Sequence, residues 1–435
     1  MSAAMTAPAG RGVWSAIVRR GLSCLRHGRL TIADGDRRHT FGGDGRADLA
    51  ATITVASAAA YRRLVLGGSL GGAEAYLRGE WTADDLPAAL RILAANLDAA
   101  DRFDSILPRL LNLPATLAHR LRRNSRRGSR RNIREHYDLG NDLFALFLDE
   151  TMTYSCGVFE REDASLHDAS VAKLDLVCRK LALDADHKVL EIGGGWGSFA
   201  LHAARHYGCH VTTTTVSRAQ FDVATARVAA AGLSDRVTVL LEDYRDLRGT
   251  FDRLVSIEMI EAVGARYLPG YFAACAARLA PGGQMLLQGI VLPEYRYRGY
   301  LRSADFVQRY VFPGGALTSL GAIARAIGAG TDLSVLHVED LSPHYARTLR
   351  LWRDAFLERR DDALRLGYDE RFVRLWEFYL AYCEAGFAEH CTGVVQMLLT
   401  RPLRHAASPW GEVAAHVVRR PRRAEMHGTG NGAMA

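Results

Sequence analysis

Residues 190–200 read LEIGGGWGSFA, a short apolar strand pattern that continues into a glycine-rich turn and then into a helix pattern. Gly193, Gly195 and Gly197 allow the backbone to pass close to a bound nucleotide or amino-acid group. Their G-x-G-x-G spacing differs from the G-x-G-x-x-G of dinucleotide folds, and the next strand ends in threonines rather than in a carboxylate that would hold a ribose. The stretch therefore predicts a cofactor-binding turn that is not of the dinucleotide type.

Strand and helix patterns alternate along the chain from this turn onward. The predicted order is strand 188–192, helix 196–207, strand 209–215, helix 217–231, strand 237–241, strand 252–257, helix 267–279 and strand 284–290. Such alternation predicts right-handed crossovers and a mostly parallel sheet that binds ligands at the carboxyl ends of its strands. The fold class is therefore α/β and Rossmann-like.

Polar residues stand at two further strand ends. Glu191 precedes the glycines, and the third strand is followed by Glu242, Asp243 and Tyr244. Together with the glycine-rich turn, this arrangement resembles the S-adenosylmethionine pocket of class I methyltransferases. The resemblance implies that Asp243 meets the adenine amino group and Tyr244 covers the adenine face. A core position for Tyr244 is an equally good interpretation of the residue alone.

Length and composition indicate a globular protein of two unequal domains, since half of the residues are hydrophobic and a quarter are charged. We expect a cytoplasmic protein, because no apolar run approaches the roughly 20 residues that span a bilayer and the start lacks a signal-peptide core. The seven scattered cysteines have no C-x-x-C spacing and suggest neither disulfides nor a metal site. The expected segments are a flexible N-terminus at 1–20, a small α+β domain at 21–118, a basic linker at 119–134, the methyltransferase domain at 135–403 and a disordered tail at 404–435.

The basic linker, HRLRRNSRRGSRRNIR, predicts an anionic neighbour. Nucleic acid phosphates and anionic lipid headgroups fit such a stripe equally well, and a solvated linker is the simpler alternative. No base-reading or base-flipping motif accompanies the arginines, which disfavours nucleic acid as the partner.

Several longer motifs resemble cyclopropane fatty acid synthases and the related mycolic acid methyltransferases over almost the whole chain. They are HYDLGNDLFALFLDETMTYSCGVF at 136–159, LEIGGGWG at 190–197, TVSRAQ at 215–220, EMIEAVG at 258–264 and SPHYARTL at 342–349. The segment GGSLGGAEAYLRGEW at 67–81 looks like the small lipid-handling domain of the synthases. The resemblance implies an enzyme that works at the inner face of the membrane on unsaturated phospholipid chains, and a possible homodimer.

The implied reaction transfers a methylene unit from S-adenosylmethionine to a cis double bond through a carbocation that a bound bicarbonate deprotonates. By position in the motifs, Cys156, Glu261 and Tyr345 match the bicarbonate site and Ile290 matches its backbone contact. Gln288 stands where the best-known synthases have a histidine. The positions that match the cofactor lining are Tyr154, Ser155, Gly193, Gly195, Gly197, Thr215 and Gln220, with Asp243 and Tyr244 for adenine.

Other interpretations of these residues remain open from the sequence. Cys156 also suits a small buried apolar position, Glu261 a helix start, and Tyr345 a core aromatic. Glutamine at 288 hydrogen-bonds but carries no charge, so the cation could also lose its proton without ring closure and leave a methyl- or methylene-branched chain. The aromatic and arginine-rich segment 291–319 predicts a substrate-side insertion or an ordinary packing insert. A methyltransferase for a soluble small molecule and a catalytically silent lipid-binding protein are the competing functions.

Overall fold

The computed structural model describes residues 12–97 apart from 44, 45 and 47, and residues 140–403 apart from 303. The basic linker at 119–134 and the tail at 404–435 lie outside the described residues. Within the described ranges, no helix combines the length and apolarity needed to cross a membrane.

A seven-stranded sheet forms the centre of the larger part. Its strands are β5 (Lys188–Ile192), β6 (His210–Thr214), β7 (Val237–Leu240), β8 (Phe251–Ile257), β9 (Leu279–Val291), β10 (Ser334–Asp340) and β11 (Gly393–Thr400). The order is β10-β11-β9-β8-β5-β6-β7, with β11 antiparallel to both neighbours and the pairs from β9 to β7 parallel. The chain reverses its direction of winding between β5 and β8, and such a switch point is where an open α/β sheet binds its ligand.

Helices cover both faces of this sheet. They are α4 (Asn141–Phe144), α5 (Leu166–Lys180), α6 (Ser198–Tyr207), α7 (Arg218–Ala230), α8 (Leu268–Arg278), α9 (Glu294–Tyr300), α10 (Phe306–Tyr310), α11 (Leu320–Gly328), α12 (Ser342–Glu358), α13 (Arg360–Arg365) and α14 (Glu370–Ala388). The predicted strand and helix alternation is confirmed, as is the Rossmann-like α/β class. The predicted strand 284–290 is part of the longer β9, and the segment 291–319 contains the short helices α9 and α10.

The N-terminal part is a small α+β unit, as its short alternating patterns predict. Its elements are α1 (Val13–Leu22), β1 (Arg29–Asp34), β2 (Arg37–Gly42), β3 (Ala50–Val55), α2 (Ala59–Leu77), β4 (Trp81–Ala83) and α3 (Leu86–Ala95), with the sheet order β2-β1-β3-β4. Residues 13–20, assigned above to a flexible N-terminus, belong to α1, whose Val18 and Leu22 are buried against this sheet. Helix α2 is kinked at Gly68, whose φ of 62° favours glycine.

The small unit packs on α14 of the larger part. The Tyr76 hydroxyl donates to the Glu377 carboxylate at 2.7 Å, and Arg91 forms an ion pair with Glu389 at 2.8 Å. The Tyr76 ring also lies 5.3 Å from that of Phe378. These contacts join the two parts into one compact body, and a cavity lined by residues of both parts lies between them.

Candidate active site

One cavity of about 1130 Å³ runs from the N-terminal sheet to the glycine-rich turn. At one end it is lined by apolar side chains of β1 and β3, including Leu30, Ile32 and Ile53. At the other end it is lined by the turn after β5 and by polar residues at the strand ends. Pockets for one small ligand usually measure about 300–1,000 Å³, so this cavity has room for a cofactor together with part of a second, apolar molecule.

The glycine-rich turn brings the main chain to the cavity wall. The amides of Gly193 and Gly194 both donate to the Thr214 carbonyl at 3.0 Å, which ties the turn to the end of β6. A Cβ at Gly194 would lie 1.8 Å from Thr213 Oγ1, so the turn tolerates no side chain there. Gly195 has a φ of 54° and faces open space, where a cofactor can approach its backbone.

Gly197 has a different position from the other predicted cofactor glycines. It does not line the cavity but caps the start of α6 with a φ of 86°, close to Ala224 of α7. Its positive φ and the neighbouring helix require glycine there, so the structure gives Gly197 a packing role, and its predicted cofactor contact stays a prediction.

The residues predicted for the adenine end lie together at the cavity wall. Asp243 is almost fully buried and accepts two hydrogen bonds of 2.7 Å from the Arg245 guanidinium. The same guanidinium lies over the Tyr244 ring at 5.3 Å, so Tyr244 is held between it and Tyr271, which it meets edge to face. Asp243 thus positions Arg245, and both Asp243 and Tyr244 line the cavity at this end.

Further cofactor candidates line the same region. Thr215 donates from its hydroxyl to Gln220 Oε1 at 2.8 Å, and both side chains are buried. The Tyr154 hydroxyl shares a 2.9 Å hydrogen bond with that of Tyr379. Ser155 Oγ accepts a 2.8 Å hydrogen bond from the buried ammonium of Lys173. All four predicted residues therefore face the cavity.

Lys173 and Glu191 are buried charged groups whose environments the sequence did not reveal. Burial lowers the pKa of Lys173, while Glu258 is the strongest of the nearby groups that oppose this shift. Burial raises the pKa of Glu191 to about 7, against a 2.6 Å hydrogen bond from Thr213. Lys173 was detectable as a lysine between Ala169 and Val177, on the apolar face of α5.

Glu258 lies at the centre of the site, although the sequence motifs predicted no role for it. It follows β8 with a φ of 50°, a left-handed conformation that costs a side-chain-bearing residue about 1–2 kcal/mol. Its Oε1 accepts hydrogen bonds from the Cys156 amide at 2.9 Å and from Gln288 Nε2 at 2.7 Å. Its Oε2 accepts from the Tyr345 hydroxyl. Strained residues of this kind concentrate at functional sites.

A chain of amides determines the direction in which Gln288 donates. The Lys180 ammonium can only donate, and it does so to Gln396 Oε1 at 2.6 Å. Gln396 Nε2 must then donate to Gln288 Oε1 at 2.9 Å, which turns the Gln288 NH₂ group toward Glu258. Gln288 and Gln396 are almost completely buried, so bulk solvent does not reach these two amides.

Glu261 is the second carboxyl group of the site but does not join the same cluster. It lies in the 3₁₀ turn Ile260–Ala262 and accepts one hydrogen bond from the Ile290 amide, while its Oε2 is buried with no hydrogen-bond partner. Burial, followed by repulsion from Glu258, raises the pKa of Glu261 to about 8. Burial also raises the pKa of Glu258, but the hydrogen bonds from Tyr345, Cys156 and Gln288 oppose that rise. Glu258 is therefore the more readily ionised of the two carboxyl groups, whereas Glu261 holds a proton at neutral pH.

Cys156 and Tyr345 serve as supports for Glu258. The Cys156 thiol is fully buried, and burial followed by the Glu258 charge raises its pKa, so the residue contributes its amide and not a thiolate. The Tyr345 ring stacks on Phe387 at 4.4 Å, which fixes its hydroxyl on the carboxylate. Both residues lie where the motif match predicted, but around a protein carboxylate.

Comparison with known proteins agrees with this geometry. The family model described as "Mycolic acid cyclopropane synthetase" matches residues 124–397. Tuberculostearic acid methyltransferase UfaA1 of Mycobacterium tuberculosis is 43% identical over 351 residues, covering 78% of this chain and 81% of that protein. Cyclopropane-fatty-acyl-phospholipid synthase of Escherichia coli K12 is 34% identical over 354 residues, covering 81% of this chain and 88% of the synthase.

The solved structures point the same way. The mycolic acid cyclopropane synthase CmaA1 in complex with SAH and CTAB is 31% identical, with a TM-score of 0.59 over 62% of this chain and 98% of that one. The cyclopropane synthase MmaA2 of M. tuberculosis has the same identity, TM-score and coverage. The chain therefore belongs to the mycolic acid cyclopropane synthetase family and is an S-adenosylmethionine-dependent methyltransferase.

Proposed function

We propose that the enzyme transfers a methyl group from S-adenosylmethionine to a cis double bond in a phospholipid acyl chain, and that the resulting cation loses a proton to close a cyclopropane ring. The observation that carries the proposal is the single cavity that joins an apolar N-terminal sheet to the glycine-rich turn and to two partly buried carboxyl groups, those of Glu258 and Glu261. A soluble, polar substrate would have no use for the apolar half of this cavity.

The apolar half suits a lipid tail. Leu30, Ile32 and Val55 of the small sheet line it, and the kinked helix α2 adds Gly67 and Gly72 to the wall. Burying each CH₂ group of an acyl chain contributes about 0.8 kcal/mol, so such a surface can hold a chain that is drawn from a membrane. E. coli cyclopropane-fatty-acyl-phospholipid synthase, by its name, acts on such a lipid.

The polar half suits the cofactor. S-adenosylmethionine supplies, when bound, an electrophilic methyl group on a positively charged sulfur. Gly193 and Gly195 would leave room for its amino-acid portion, and Tyr244 would cover its adenine ring. With both molecules bound, the cavity walls would shield the reacting carbon atoms from water, which a weakly nucleophilic alkene requires.

The partner we propose is the surface of a membrane that contains anionic, unsaturated phospholipid. The basic linker at 119–134 would meet the headgroups, since clustered arginines gain about 1 kcal/mol each near an anionic leaflet. Vesicle binding should then weaken as salt is added, because salt screens this attraction.

The test is to incubate the enzyme with methyl-deuterated S-adenosylmethionine and vesicles of cis-unsaturated phospholipid, and to analyse the released acyl chains by mass spectrometry and hydrogenation. A labelled carbon that has lost one deuterium, in a chain with no reducible double bond, supports ring formation. A parallel incubation with soluble acceptors and no vesicles is the control. Label in a soluble acceptor and none in lipid would refute the proposal.

A methyl- or methylene-branched product is the second candidate. It is favoured by the neutral Gln288 and by the 43% identity to a relative whose name denotes methylation, against 34% for the synthase. In the same experiment, labelled chains that retain a reducible double bond would identify this outcome.

A further inference from the structure

The donors that the family resemblance assigns to a bound bicarbonate are already occupied in this chain. The Cys156 amide, the Gln288 amide and the Tyr345 hydroxyl all donate to the Glu258 carboxylate. A glutamate carboxylate and bicarbonate carry the same charge on the same planar O–C–O group. The side chain of Glu258 therefore takes the place that these groups would offer to the free anion.

A free bicarbonate does not fit beside these two carboxyl groups. Glu258 and Glu261 are close enough for the charge on Glu258 to raise the pKa of Glu261. Adding an anion to this partly buried pair would place another negative charge beside the charge on Glu258, and the two negative charges would repel each other. Lys173 is a buried lysine nearby, and its strongest favourable charge interaction is with Glu258 itself.

Glu258 also has access to the substrate. Its carboxyl group and that of Glu261 line the cavity, whereas Cys156 and Gln288 lie behind the wall. The supporting groups thus hold the carboxylate from the protein side and leave it facing the space proposed for the acyl chain. A base must reach the proton that it removes, and this arrangement satisfies that requirement.

From these contacts we infer that Glu258 is the resident base of the reaction and that the enzyme needs no bicarbonate; the inference rests on the proposed function. In the methyl-transfer step, the alkene π electrons form the new C–C bond while the C–S bond breaks, leaving S-adenosylhomocysteine and a carbocation. Glu258 then takes a proton from carbon. The electron pair of the broken C–H bond closes the ring or forms a new double bond, and the protonated carboxyl group later releases its proton to water.

The first measurement is turnover of the wild-type enzyme on vesicles, in buffer purged of carbon dioxide with argon and in the same buffer with added bicarbonate. Equal rates are expected. A wild-type enzyme that labels lipid only when bicarbonate is present overturns the role of Glu258 but leaves the proposed function intact. A wild-type enzyme that labels no lipid in either buffer overturns the proposed function and this inference with it.

The second measurement uses two substitutions of the base. Glu258→Gln keeps the shape of the side chain, and the Tyr345 hydroxyl can turn to accept from the new amide. We expect it to retain S-adenosylhomocysteine binding but lower turnover by about 10²–10⁴-fold, the usual contribution of a general base. Wild-type turnover in this variant would overturn the inference.

Glu258→Gly removes the carboxylate, frees its three donors and suits the positive φ at this position. Added bicarbonate or formate should bind there and restore part of the turnover, and broadening of the ¹³C bicarbonate NMR signal should report this binding in the variant but not in the wild type. Broadening by the wild type would overturn the inference. Ala182→Gly is the matched control, because Ala182 also has a positive φ and lies outside the site.

Discussion

Replacing Glu261 with glutamine should make the stability of the protein less sensitive to alkaline pH. In the folded chain the pKa of this carboxyl group is raised from 4.5 to about 8, first by burial and then by Glu258. The folded state therefore holds a proton that the unfolded state releases, and stability falls as pH rises from 4.5 to about 8. Glutamine cannot ionise, so the Glu261→Gln variant avoids this loss.

The magnitude follows from the size of the shift. Each pKa unit corresponds to about 1.4 kcal/mol, so a rise from 4.5 to about 8 amounts to ~5 kcal/mol between the two ends of the range. With about 2.1 cal/mol/K of unfolding entropy per residue over 435 residues, this free energy equals a difference of roughly 5 °C in melting temperature.

The assay is thermal unfolding of both proteins, stripped of ligand, from pH 5 to pH 9. The melting temperature of Glu261→Gln should be similar to that of the wild type at pH 5 and should exceed it increasingly up to pH 8. Glu160→Gln, which removes an exposed carboxylate, supplies the baseline. A difference between Glu261→Gln and wild type that does not change with pH would refute the assignment of a buried, protonated Glu261.

Three other substitutions test separate parts of the site. Gly194→Ala should weaken S-adenosylhomocysteine binding by at least about tenfold, ~1.4 kcal/mol, because the new Cβ would overlap the Thr213 hydroxyl. Calorimetry measures this loss, and Gly270→Ala, where a Cβ meets open space, should show none. Ile53→Trp should fill the apolar end of the cavity and reduce lipid methylation while leaving S-adenosylhomocysteine binding intact. The control is Thr54→Trp, at an exposed position on the same strand. Equal activity of the two variants would contradict a lipid tail at that end. Lys173→Met should shift the acidic limb of the turnover profile to higher pH. Burial raises the pKa of Glu258, the Lys173 ammonium opposes that rise, and the variant removes this opposition. An unchanged profile would show that the two groups do not interact.

The sequence by itself determined the class of fold and the position of the cofactor turn. Alternating strand and helix patterns are local signals, and the predicted elements from residue 188 to residue 290 match the observed ones closely. The glycine-rich turn of LEIGGGWG and the motif around Cys156 could also be identified from the sequence, since each depends on a short run of residues. The packing role of Gly197 could not be predicted in this way, because it depends on the contact with helix α7, which exists only in the folded chain.

Only the tertiary structure distinguishes the two carboxyl groups of the site. Glu258 and Glu261 stand three residues apart in EMIEAVG, and nothing local distinguishes them. The positive φ of Glu258 turns its side chain toward donors from a loop, a strand and a helix that are distant in the sequence, whereas Glu261 meets the Ile290 amide. Hydrogen bonds from such separate segments exist only after the sheet and α12 have packed, because the energy of a buried charge depends on its surroundings and not on its neighbours in the chain.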